Sequence, residues 1–463
     1  MTFSANVSKL FKPQSLAVIG VSLSNPFNPA NVIYNKNRHR FSTKTYCVNP
    51  KGGNIYGQKV YTSISKIPDK IALVVVSTKA DFVPDILLEC ISKGVAGAVV
   101  ISGGFNESGR ADLEERIKEI SLKNNFPVVG PNCLGIFSPP HADTFFLPSE
   151  RLVPVSRGNV SLVSQSGGIL VDMMIKLAQE GVGISKAVSI GNKAVLDETA
   201  MLQYFKKDPE TDVIGIYLEG FKSQRGRVFI SEANRSEKPI VIMKSGKTPG
   251  GARAVSSHTA SIAGDYRTFS EIVRASKCFE ATNESEFVSC CEVLSAYPGA
   301  RIRKACIITA SGGHGAIASD GCHRAGIDIP EIPEVDQKEL TGKLGDGIKS
   351  IAGLSNPIDL TGSAFDDDFI AAVEFFMHKK YVDCIMLLLL PYLPGITSDI
   401  GARIAEVSGA SKKPIIAYMP HVDKYGIFIE GFENNGIPVA HSVEGAVYMA
   451  AAIKGSGFET SNH

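Results

Sequence analysis

Along its whole length the chain alternates short apolar runs with amphipathic segments of helical period, and this alternation constrains the fold more than any other feature. Ser15-Leu-Ala-Val-Ile-Gly20 is a typical apolar run, and residues 83–93 and 111–124 are typical amphipathic segments. Parallel strands need long crossover connections, so strands that alternate with helices predict a parallel sheet covered by helices. The sequence therefore predicts an α/β protein.

Two breaks in this pattern divide the chain into three α/β blocks, as expected for 463 residues at roughly 150 residues per domain. A proline-rich stretch, 138–154, is typical of a linker, and the second break lies near residues 297–300. We predict a Rossmann-like domain over 1–145 and two further domains over 155–295 and 300–463.

Bulk charge and cysteine spacing exclude several classes of protein. Lysine and arginine total 48 against 47 acidic residues, so the net charge of +1 gives no attraction to nucleic acid or membrane surfaces. The nine cysteines show no metal-ligand spacing and are typical of reduced, buried thiols. Residues 1–10 lack the apolar segment of a signal peptide, and the most apolar run, 384–390, is too short to span a bilayer. We expect a cytoplasmic protein without a metal site.

The segments Ser164-Gln-Ser-Gly-Gly168 and Thr309-Ala-Ser-Gly-Gly313 share one local design, since each follows an apolar strand and precedes a helical run. Glycines let the backbone approach a ligand, and the free N–H groups and dipole of a helix N-terminus attract anions. A tight turn with serine as N-cap also explains a single copy. Two matched copies favour phosphate binding, and His314 after the second copy is interpreted as a residue that lines the turn. The candidate phosphate ligands are Ser166, Gly167, Gly168, Ser311, Gly312 and Gly313.

Residues 244–264 follow a strand and are rich in glycine and serine, without the period of a helix. We predict a long loop, which in a compact α/β domain tends to be functional or mobile. His258 on this segment has small neighbours, and a neutral imidazole is a good nucleophile near pH 7. The alternative is a surface histidine on a flexible loop.

Glu219 ends an apolar strand, in Tyr217-Leu-Glu-Gly220. Ligands of open parallel sheets bind beyond the carboxyl ends of the strands. A carboxylate placed there can accept the N–H of an imidazole and leave the other ring nitrogen free to attack. The alternative is a solvated acid or one at a helix N-terminus.

The turn after the first strand, Gly20-Val-Ser-Leu-Ser-Asn25, is not the GxGxxG fingerprint of dinucleotide-binding proteins. The second strand ends in Asn49-Pro-Lys-Gly-Gly53, without an acidic residue for a ribose hydroxyl. Both features disfavour an NAD-dependent oxidoreductase. Lys51 suits a phosphorylated ribose, although a structural turn also explains this segment.

Four motifs, in order along nearly the whole chain, resemble those of the α subunits of ADP-forming acyl-CoA (acetate-CoA) synthetases, relatives of the succinyl-CoA synthetase α subunit. The motifs are Ser164-Gln-Ser-Gly-Gly168, Gly191-Asn-Lys193, Tyr217-Leu-Glu-Gly220 and Ser257-His-Thr-Ala-Ser261 with Ala263-Gly264. The resemblance implies a Rossmann-like CoA-binding domain followed by two flavodoxin-like, doubly wound parallel-sheet domains. It places a phosphohistidine on the first of these two.

The implied reaction interconverts acyl-CoA, ADP and phosphate with the free acid, CoA and ATP through an acyl phosphate. His258 is expected to become the phosphohistidine and to move on the mobile loop, while Glu219 holds its second ring nitrogen. The two Ser-Gly-Gly helix starts are expected to stabilise the phosphoryl group. The alternative is a non-catalytic CoA-binding regulatory protein of the same fold, against which the intact His258, Glu219 and Ser-Gly-Gly turns argue.

For CoA, the resemblance points to the turns that follow the first four strands of the first domain. The candidate CoA ligands are Gly20, Ser22, Ser24, Asn25, Lys51, Val76, Ser77, Thr78, Ser102 and Gly103.

No Walker A motif occurs, and no segment of the roughly 200 residues that a nucleotide domain needs follows the third block. We therefore expect a separate ATP-grasp β subunit that binds ADP or ATP and Mg²⁺, in an α2β2 assembly by likeness to the family. The sequence does not specify the acyl group, and acetate, branched-chain, aryl and hydroxy acids are all open.

Overall fold

The computed structural model describes residues 4–222, 225–259, 266–409, 411 and 413–454, and their side chains except those of residues 4, 5 and 256–259. The chain divides into two compact units, named here unit 1 (Met1–Ala178 with Gly183–Ser276) and unit 2 (Gln179–Val182 with Lys277–His463). Within the described ranges, no helix combines the length and apolarity needed to cross a membrane.

The first sheet of unit 1 has seven strands and four helices. The strands are β1 (Ser15–Ile19), β2 (Lys44–Val48), β3 (Asn54–Ile55), β4 (Gln58–Tyr61), β5 (Leu73–Val76), β6 (Gly97–Val100) and β7 (Val128–Val129). The helices are α1 (Ser4–Phe11), α2 (Pro29–Arg40), α3 (Val83–Lys93) and α4 (Ala111–Lys123). The spatial order is β3-β4-β2-β1-β5-β6-β7, and every pair except β3 with β4 is parallel.

The winding of this sheet reverses between β1 and β5, and such a switch point is where open α/β sheets bind ligands. Gly20 follows β1 there with a φ of 101°, and Ser77 follows β5. A Cβ at Gly20 would lie 2.0 Å from the Ser77 carbonyl oxygen. Glycine is therefore required for the two strand ends to approach this closely.

The second sheet of unit 1 is parallel at its centre and antiparallel at one edge. Its strands are β8 (Gly135–Ser138), β9 (Ala142–Asp143), β10 (Arg157–Ser164), β11 (Ile184–Ser189), β12 (Val213–Leu218) and β13 (Ile240–Lys244). Within unit 1 their order is β13-β12-β10-β11-β8-β9. The helices are α5 (Gly167–Gln179), α6 (Glu198–Phe205), α7 (Arg225–Asn234), α8 (Pro249–Thr259) and α9 (Tyr266–Arg274).

The stretch 138–154, interpreted from sequence as a linker, contributes to this antiparallel edge through β9. The buried ion pair between Lys36 Nζ and Asp143 Oδ2, 2.8 Å apart, anchors β9 to α2. Asn37 Oδ1 also accepts the Asp143 N–H at 3.0 Å. These contacts come from residues about a hundred positions earlier in the chain, so the local proline content gave no sign of them.

Unit 2 contains a five-stranded parallel sheet. Its strands are β15 (Ala305–Thr309), β16 (Ile358–Asp359), β17 (Cys384–Leu388), β18 (Ile415–Tyr418) and β19 (Val439–Ala440), in the order β16-β15-β17-β18-β19. The unit also has the strand β14 (Cys278–Ala281). The helices are α10 (Glu284–Ala296), α11 (Gly312–Arg324), α12 (Glu334–Thr341), α13 (Asp366–Met377), α14 (Ile400–Ser408), α15 (Gly426–Glu433) and α16 (Val443–Lys454).

The segment predicted as a long loop after β13 contains the helix α8, so the prediction was wrong over these residues. Thr248 is the N-cap, since its Oγ1 accepts the Gly251 N–H at 3.1 Å, and Pro249 takes the first helical position. Threonine followed by proline is a helix start signal. The glycine and serine content of the segment concealed it.

The predicted α/β class is confirmed. The central strands β1, β5, β12 and β15 are buried at every position, as their short, continuous apolar runs predict. All nine cysteines are buried. Burial raises the pKa of the Cys133 thiol to about 12, so this thiol stays protonated and unreactive near neutral pH.

Candidate functional site

The first Ser-Gly-Gly turn joins the end of β10 to the start of α5. Ser164 Oγ accepts the Ser166 N–H at 3.2 Å and donates to the Ser166 carbonyl oxygen at 2.6 Å, which closes the turn. Ser166 Oγ then accepts the Ile169 N–H at 3.5 Å as the N-cap. A Cβ at Gly168 would meet no atom within 4 Å, so the first helical turn faces open space. Its N–H groups have no partner within the helix and attract an anion.

Gln165 connects this turn to Glu219. Gln165 Oε1 accepts the Glu219 N–H at 3.0 Å and also accepts from Lys193 Nζ at 3.4 Å. Lys193 pairs with Glu198 at 3.0 Å and donates to the Gly220 carbonyl oxygen. All four of these side chains are buried. The position of Glu219 at the end of β12 is thus fixed by a hydrogen-bonded network.

Lys244 ends β13 beside the same carboxylate. Its Nζ donates to the carbonyl oxygens of Glu219 at 3.1 Å and Ser245 at 2.8 Å, and lies 5.7 Å from the centroid of the Phe269 ring. Burial lowers the pKa of Lys244, and the charge of Lys247 lowers it further, while Glu219 opposes the shift. The carboxyl edge of the sheet therefore holds an ammonium group next to Glu219.

One cleft of about 580 Å³ connects the two sheets of unit 1. At one end it is lined by Ile101 and Asn132, beside the end of β6. At the other end it is lined by Ser166, Gly168 and Glu219. The structure therefore brings the predicted phosphate ligands of α5 and the predicted catalytic glutamate into one space with the edge of the first sheet.

The candidate CoA ligands lie on turns at the carboxyl edge of the first sheet. Ser102 Oγ accepts the Thr78 N–H at 3.0 Å and donates to the Val76 carbonyl oxygen at 3.4 Å, which ties the turn after β5 to the turn after β6. A Cβ at Gly103 would lie 3.4 Å from Asn132 Oδ1, at the mouth of the cleft. The Val76 side chain is fully buried, so only its backbone is available to a ligand.

The turn after β1 is held together by Ser22. Its N–H donates to Asn31 Oδ1 at 2.6 Å, and its Oγ accepts the N–H groups of Ser24 at 3.3 Å and Asn25 at 3.0 Å. Lys51 follows β2 and its side chain is exposed. These turns therefore present polar groups and one lysine along the edge at which the switch point lies.

Unit 2 repeats the Ser-Gly-Gly turn at the start of α11. Thr309 Oγ1 accepts the Ser311 N–H at 3.1 Å and donates to the Ser311 carbonyl oxygen at 3.3 Å, the same pair of bonds as in unit 1. Asp359 lies against this helix start, because a Cβ at Gly312 would stand 3.1 Å from Asp359 Oδ2. His314 Nδ1 is 3.0 Å from Ser311 Oγ, as expected for a histidine that lines the turn.

His258 lies in α8, one residue before the end of the helix. Its side chain lies outside the described residues, as do residues 260–265. Its role as nucleophile therefore stays a prediction, as does the contact between its ring and Glu219.

Two parts of the chain match known domain families. Residues 14–139 match the CoA binding domain, and residues 157–294 match the succinyl-CoA ligase like flavodoxin domain. Both matches agree with the resemblance that the motifs carry.

The alpha subunit of acetate–CoA ligase [ADP-forming] I from Pyrococcus furiosus is 31% identical over 458 residues, which cover 97% of each chain. The chain belongs to this ligase family. The acetate–CoA ligase [ADP-forming] I from Archaeoglobus fulgidus is 36% identical over 420 residues, or 89% of this chain. This chain spans little more than half (58%) of that relative's length.

A solved structure from the same family has the same fold. It is that of Ca. Korarchaeum cryptofilum dinucleotide forming acetyl-coenzyme A synthetase 1, in complex with phosphate and ADP. It superposes with a TM-score of 0.89 at 31% identity and covers 97% of this chain and 96% of its own. The predicted family and the predicted succession of a CoA-binding and a flavodoxin-like fold are confirmed.

Sequence reasoning missed three polar residues of the candidate site. Gln165, Lys193 and Lys244 all contact Glu219 or its network, yet none was assigned a role. Gln165 and Lys193 stand inside motifs that had been singled out. Lys193 adopts a φ of 49°, which is uncommon for a residue with a side chain and marks a constrained position.

Asn192 was also missed, although it connects the two sheets. Its Nδ2 donates to the Glu107 carboxylate, and its Oδ1 accepts from Asn132 Nδ2 at 3.3 Å. Burial raises the pKa of Glu107, but hydrogen bonds from Asn192 and from backbone N–H groups outweigh it and hold that pKa below its usual range. Glu107 therefore stays ionised at the mouth of the cleft.

Proposed function

We propose that this chain is the α subunit of an ADP-forming acyl-CoA synthetase, which interconverts acyl-CoA, ADP and phosphate with a carboxylic acid, CoA and ATP. The observation that carries this proposal is the single cleft that joins the end of β6, next to Ser102 and Gly103, with the start of α5 and Glu219. A thioester held at the end of β6 and a phosphate held at the start of α5 would meet in that cleft.

The first step needs a phosphate oxygen next to a thioester carbonyl. Ser166, Gly167 and Gly168 hold the phosphate through the N–H groups and dipole of the first turn of α5. The phosphate oxygen attacks the carbonyl carbon, the C–S bond breaks, and CoA leaves as a thiolate that takes up a proton. The products are an acyl phosphate and CoA.

The second step moves the phosphoryl group to His258. One ring nitrogen attacks phosphorus, the bond from phosphorus to the acyl oxygen breaks, and the free carboxylate leaves. Glu219 accepts the N–H of the other nitrogen and stabilises the positive charge of the phosphorylated ring. Gln165 and Lys244 hold the backbone of Glu219 from both sides, which positions its side chain.

The CoA ligands act on the carboxyl edge of the first sheet. The backbone at Gly20 and Ser77 faces the pyrophosphate at the switch point, and Lys51 pairs with the phosphate on the ribose. The rest of the CoA molecule contacts the remaining candidate ligands, which are Ser22, Ser24, Asn25, the Val76 backbone, Thr78, Ser102 and Gly103. In unit 2, Ser311, Gly312 and Gly313 form a second helix start that stabilises the phosphoryl group during transfer.

The reaction needs a nucleotide site that the motifs of this chain do not supply. An ATP-grasp β subunit would bind ADP and Mg²⁺ and receive the phosphoryl group from His258, in an α2β2 assembly. The alpha-subunit name of the Pyrococcus furiosus relative supports a separate partner. Nine buried cysteines without metal-ligand spacing support a reducing compartment, the cytoplasm.

Intact-protein mass spectrometry at neutral pH tests the proposal. The purified chain, incubated with acetyl-CoA and inorganic phosphate, is expected to gain one phosphoryl group, whereas His258→Ala gains none and still binds CoA. His378→Ala, at an exposed histidine of unit 2, is the matched control and should be phosphorylated like the wild type.

The proposal is contradicted when the chain gains no phosphoryl group from a panel of acyl-CoA thioesters and none from ATP with the β subunit. Retained CoA binding in that case would favour the non-catalytic CoA-binding protein. Phosphorylation of His258→Ala at the wild-type level would move the relay to another residue.

A further inference from the structure

The cleft of unit 1 has a polar part and an apolar part. The polar part contains the start of α5, Asn192 and Glu219. The apolar part is lined by Leu134, Phe146, Leu147 and Val171. The proposed chemistry occupies the polar part with phosphate and the end of CoA, and leaves the apolar part without a role.

Val171 stands next to the reacting groups because of helical geometry. Residues four apart lie on one face of a helix, so Val171 lies directly over Gly167. Gly167 belongs, with Ser166 and Gly168, to the candidate phosphate ligands at the start of α5, named here the phosphate cradle. The Val171 side chain is half-buried and lines the cleft. The carbonyl carbon of a thioester held between phosphate and CoA therefore has its acyl substituent directed along the apolar part of the cleft.

A second cavity of about 490 Å³ lies on the other side of Val171. It is lined mainly by apolar side chains, including Phe145, Leu152, Met174 and Ile175, and it also contacts Val171. Phe145 faces this cavity, whereas its neighbours Phe146 and Leu147 face the cleft. Val171 and the segment 145–147 thus form the partition between the two spaces.

We propose that the acyl substituent packs against Phe146, Leu147 and Val171, and that Val171 limits its length. This inference rests on the proposed function and names a residue that sets its chain-length specificity. The three side chains offer no hydrogen bond to a hydroxyl group, and burying an unpaired polar group is unfavourable. The carboxylate of Asp172, which also lines the cleft, disfavours a second carboxylate on the substrate.

The length limit follows from the partition. A substituent of a few carbons fills the apolar part, and a longer one meets the Val171 side chain. Alanine at this position would open the cleft into the second cavity and admit longer chains. Phenylalanine would shorten the available space.

The test compares Val171→Ala and Val171→Phe with the wild type, each as the full chain with its β subunit. The readout is kcat/KM for CoA release from acetyl-, butyryl-, hexanoyl- and octanoyl-CoA with phosphate. The wild type should lose about tenfold or more between butyryl- and hexanoyl-CoA, since one poorly placed methylene changes kcat/KM by that order. Val171→Ala should gain about tenfold on hexanoyl-CoA, and Val171→Phe should lose butyryl-CoA while keeping acetyl-CoA.

Ile175→Ala is the matched control, because Ile175 lies one turn further along α5 and lines only the second cavity of these two. It should leave the chain-length profile unchanged. Val171→Thr keeps the volume of the side chain and should keep the length limit, so it is a second control. Val171→Phe still tests the limit where Val171→Ala does not fold.

The outcomes separate this inference from the proposed function. Active Val171→Ala and Val171→Phe proteins with an unchanged chain-length profile would overturn the role of the partition. A wild type that prefers hydroxy acids or dicarboxylic acids would overturn the packing of the acyl substituent against Phe146, Leu147 and Val171. A wild type that releases CoA from no thioester and forms no phosphohistidine would overturn the proposed function itself, and the inference with it.

Discussion

The two Ser-Gly-Gly turns have the same local structure and different surroundings. In each, a hydroxyl two residues before the cap serine exchanges hydrogen bonds with that serine, through Ser164 in unit 1 and Thr309 in unit 2. In unit 1 the helix start opens on a cleft that also contains Glu219. In unit 2 the carboxylate of Asp359 lies against the first helical turn.

This difference shows what a helix start needs before it can bind phosphate strongly. Five residues are enough to build the turn and to expose the N–H groups. A carboxylate against a helix N-terminus occupies the favourable potential that an anion would use. The neighbours of the turn therefore decide how much of its intrinsic anion affinity is available within its own unit.

The largest effect is expected from Glu219, the carboxylate at the strand end beside the first turn, and a much smaller one from its counterpart Asp359 beside the second. Glu219→Gln should lower the rate of phosphohistidine formation by about 100-fold or more, because it removes the group that orients the histidine and stabilises its charge. Asp359→Asn should change the rate by less than about threefold. Rapid-quench phosphorylation with acetyl-CoA and phosphate measures both. An equal loss of phosphorylation rate in the two variants would show that the two carboxylates contribute equally, contrary to the difference between the turns.

A smaller effect is expected from methyl groups placed in the turns. Alanine fits at Gly168, where a Cβ meets nothing within 4 Å, and at Gly313, where it lies 3.8 Å from Ser311 Oγ. Both substitutions should stabilise the fold by about 0.5 kcal/mol, since alanine is the better helix former. Gly168→Ala should nevertheless reduce phosphorylation by about tenfold by narrowing the phosphate cradle, and Gly313→Ala by less.

Thermal unfolding and phosphorylation assays on the same preparations check this pair of variants. A Gly168→Ala protein that is more stable and fully active would show that phosphate does not bind at the start of α5. A Gly313→Ala protein with the larger loss would assign the main cradle to unit 2.

Buried charges also differ between the units. Within the described residues, unit 1 pairs buried carboxylates with lysines, as in Lys186–Asp208 at 2.6 Å. Unit 2 instead gathers Glu180, Glu292 and Glu433, with carboxylate oxygens within 4.8 Å of one another. Burial and the charge of Glu180 raise the pKa of Glu433 to about 7, although His441 opposes the shift. This cluster is expected to make unit 2 sensitive to pH.

The smallest effect is therefore expected from Glu433→Gln. The folded-state pKa of Glu433 is raised above its ordinary value, so ionisation destabilises the folded protein increasingly as pH rises from about 4.5 to about 7. Glutamine resembles the protonated form, so the variant should gain a few degrees in Tm at pH 8 and nothing at pH 4. Glu374→Gln, at an exposed position of α13, is the control. An equal gain at both pH values would remove titration as the cause.

Much of the fold could be predicted because its signals are local. The strands of unit 1 and unit 2 are short apolar runs, and α3 begins and ends where the amphipathic pattern predicts, at Val83 and Lys93. The elements that were missed depend on distant partners or on weak signals. β9 is anchored by Lys36, and α8 begins at a Thr-Pro pair within a segment rich in glycine.

The candidate site divides in the same way. Glu219, Ser166 and the glycines of the first turn could be found because strand ends and helix starts are readable in sequence. Gln165, Asn192 and Lys244 could not, because their roles come from hydrogen bonds to residues between 25 and 85 positions away. No pattern of spacing along the chain encodes such contacts.

The sequence by itself determined the α/β class, the family and the two turns, because periodicity, caps and glycine positions act over a few residues. Only the tertiary structure decided which turn shares a cleft with Glu219, which turn faces a carboxylate, and where an apolar wall stands beside the phosphate cradle. The physical reason is the separation along the chain over which each kind of interaction acts. Backbone preferences are set by adjacent residues, whereas the electrostatic potential and shape of a site are set by side chains that folding brings together.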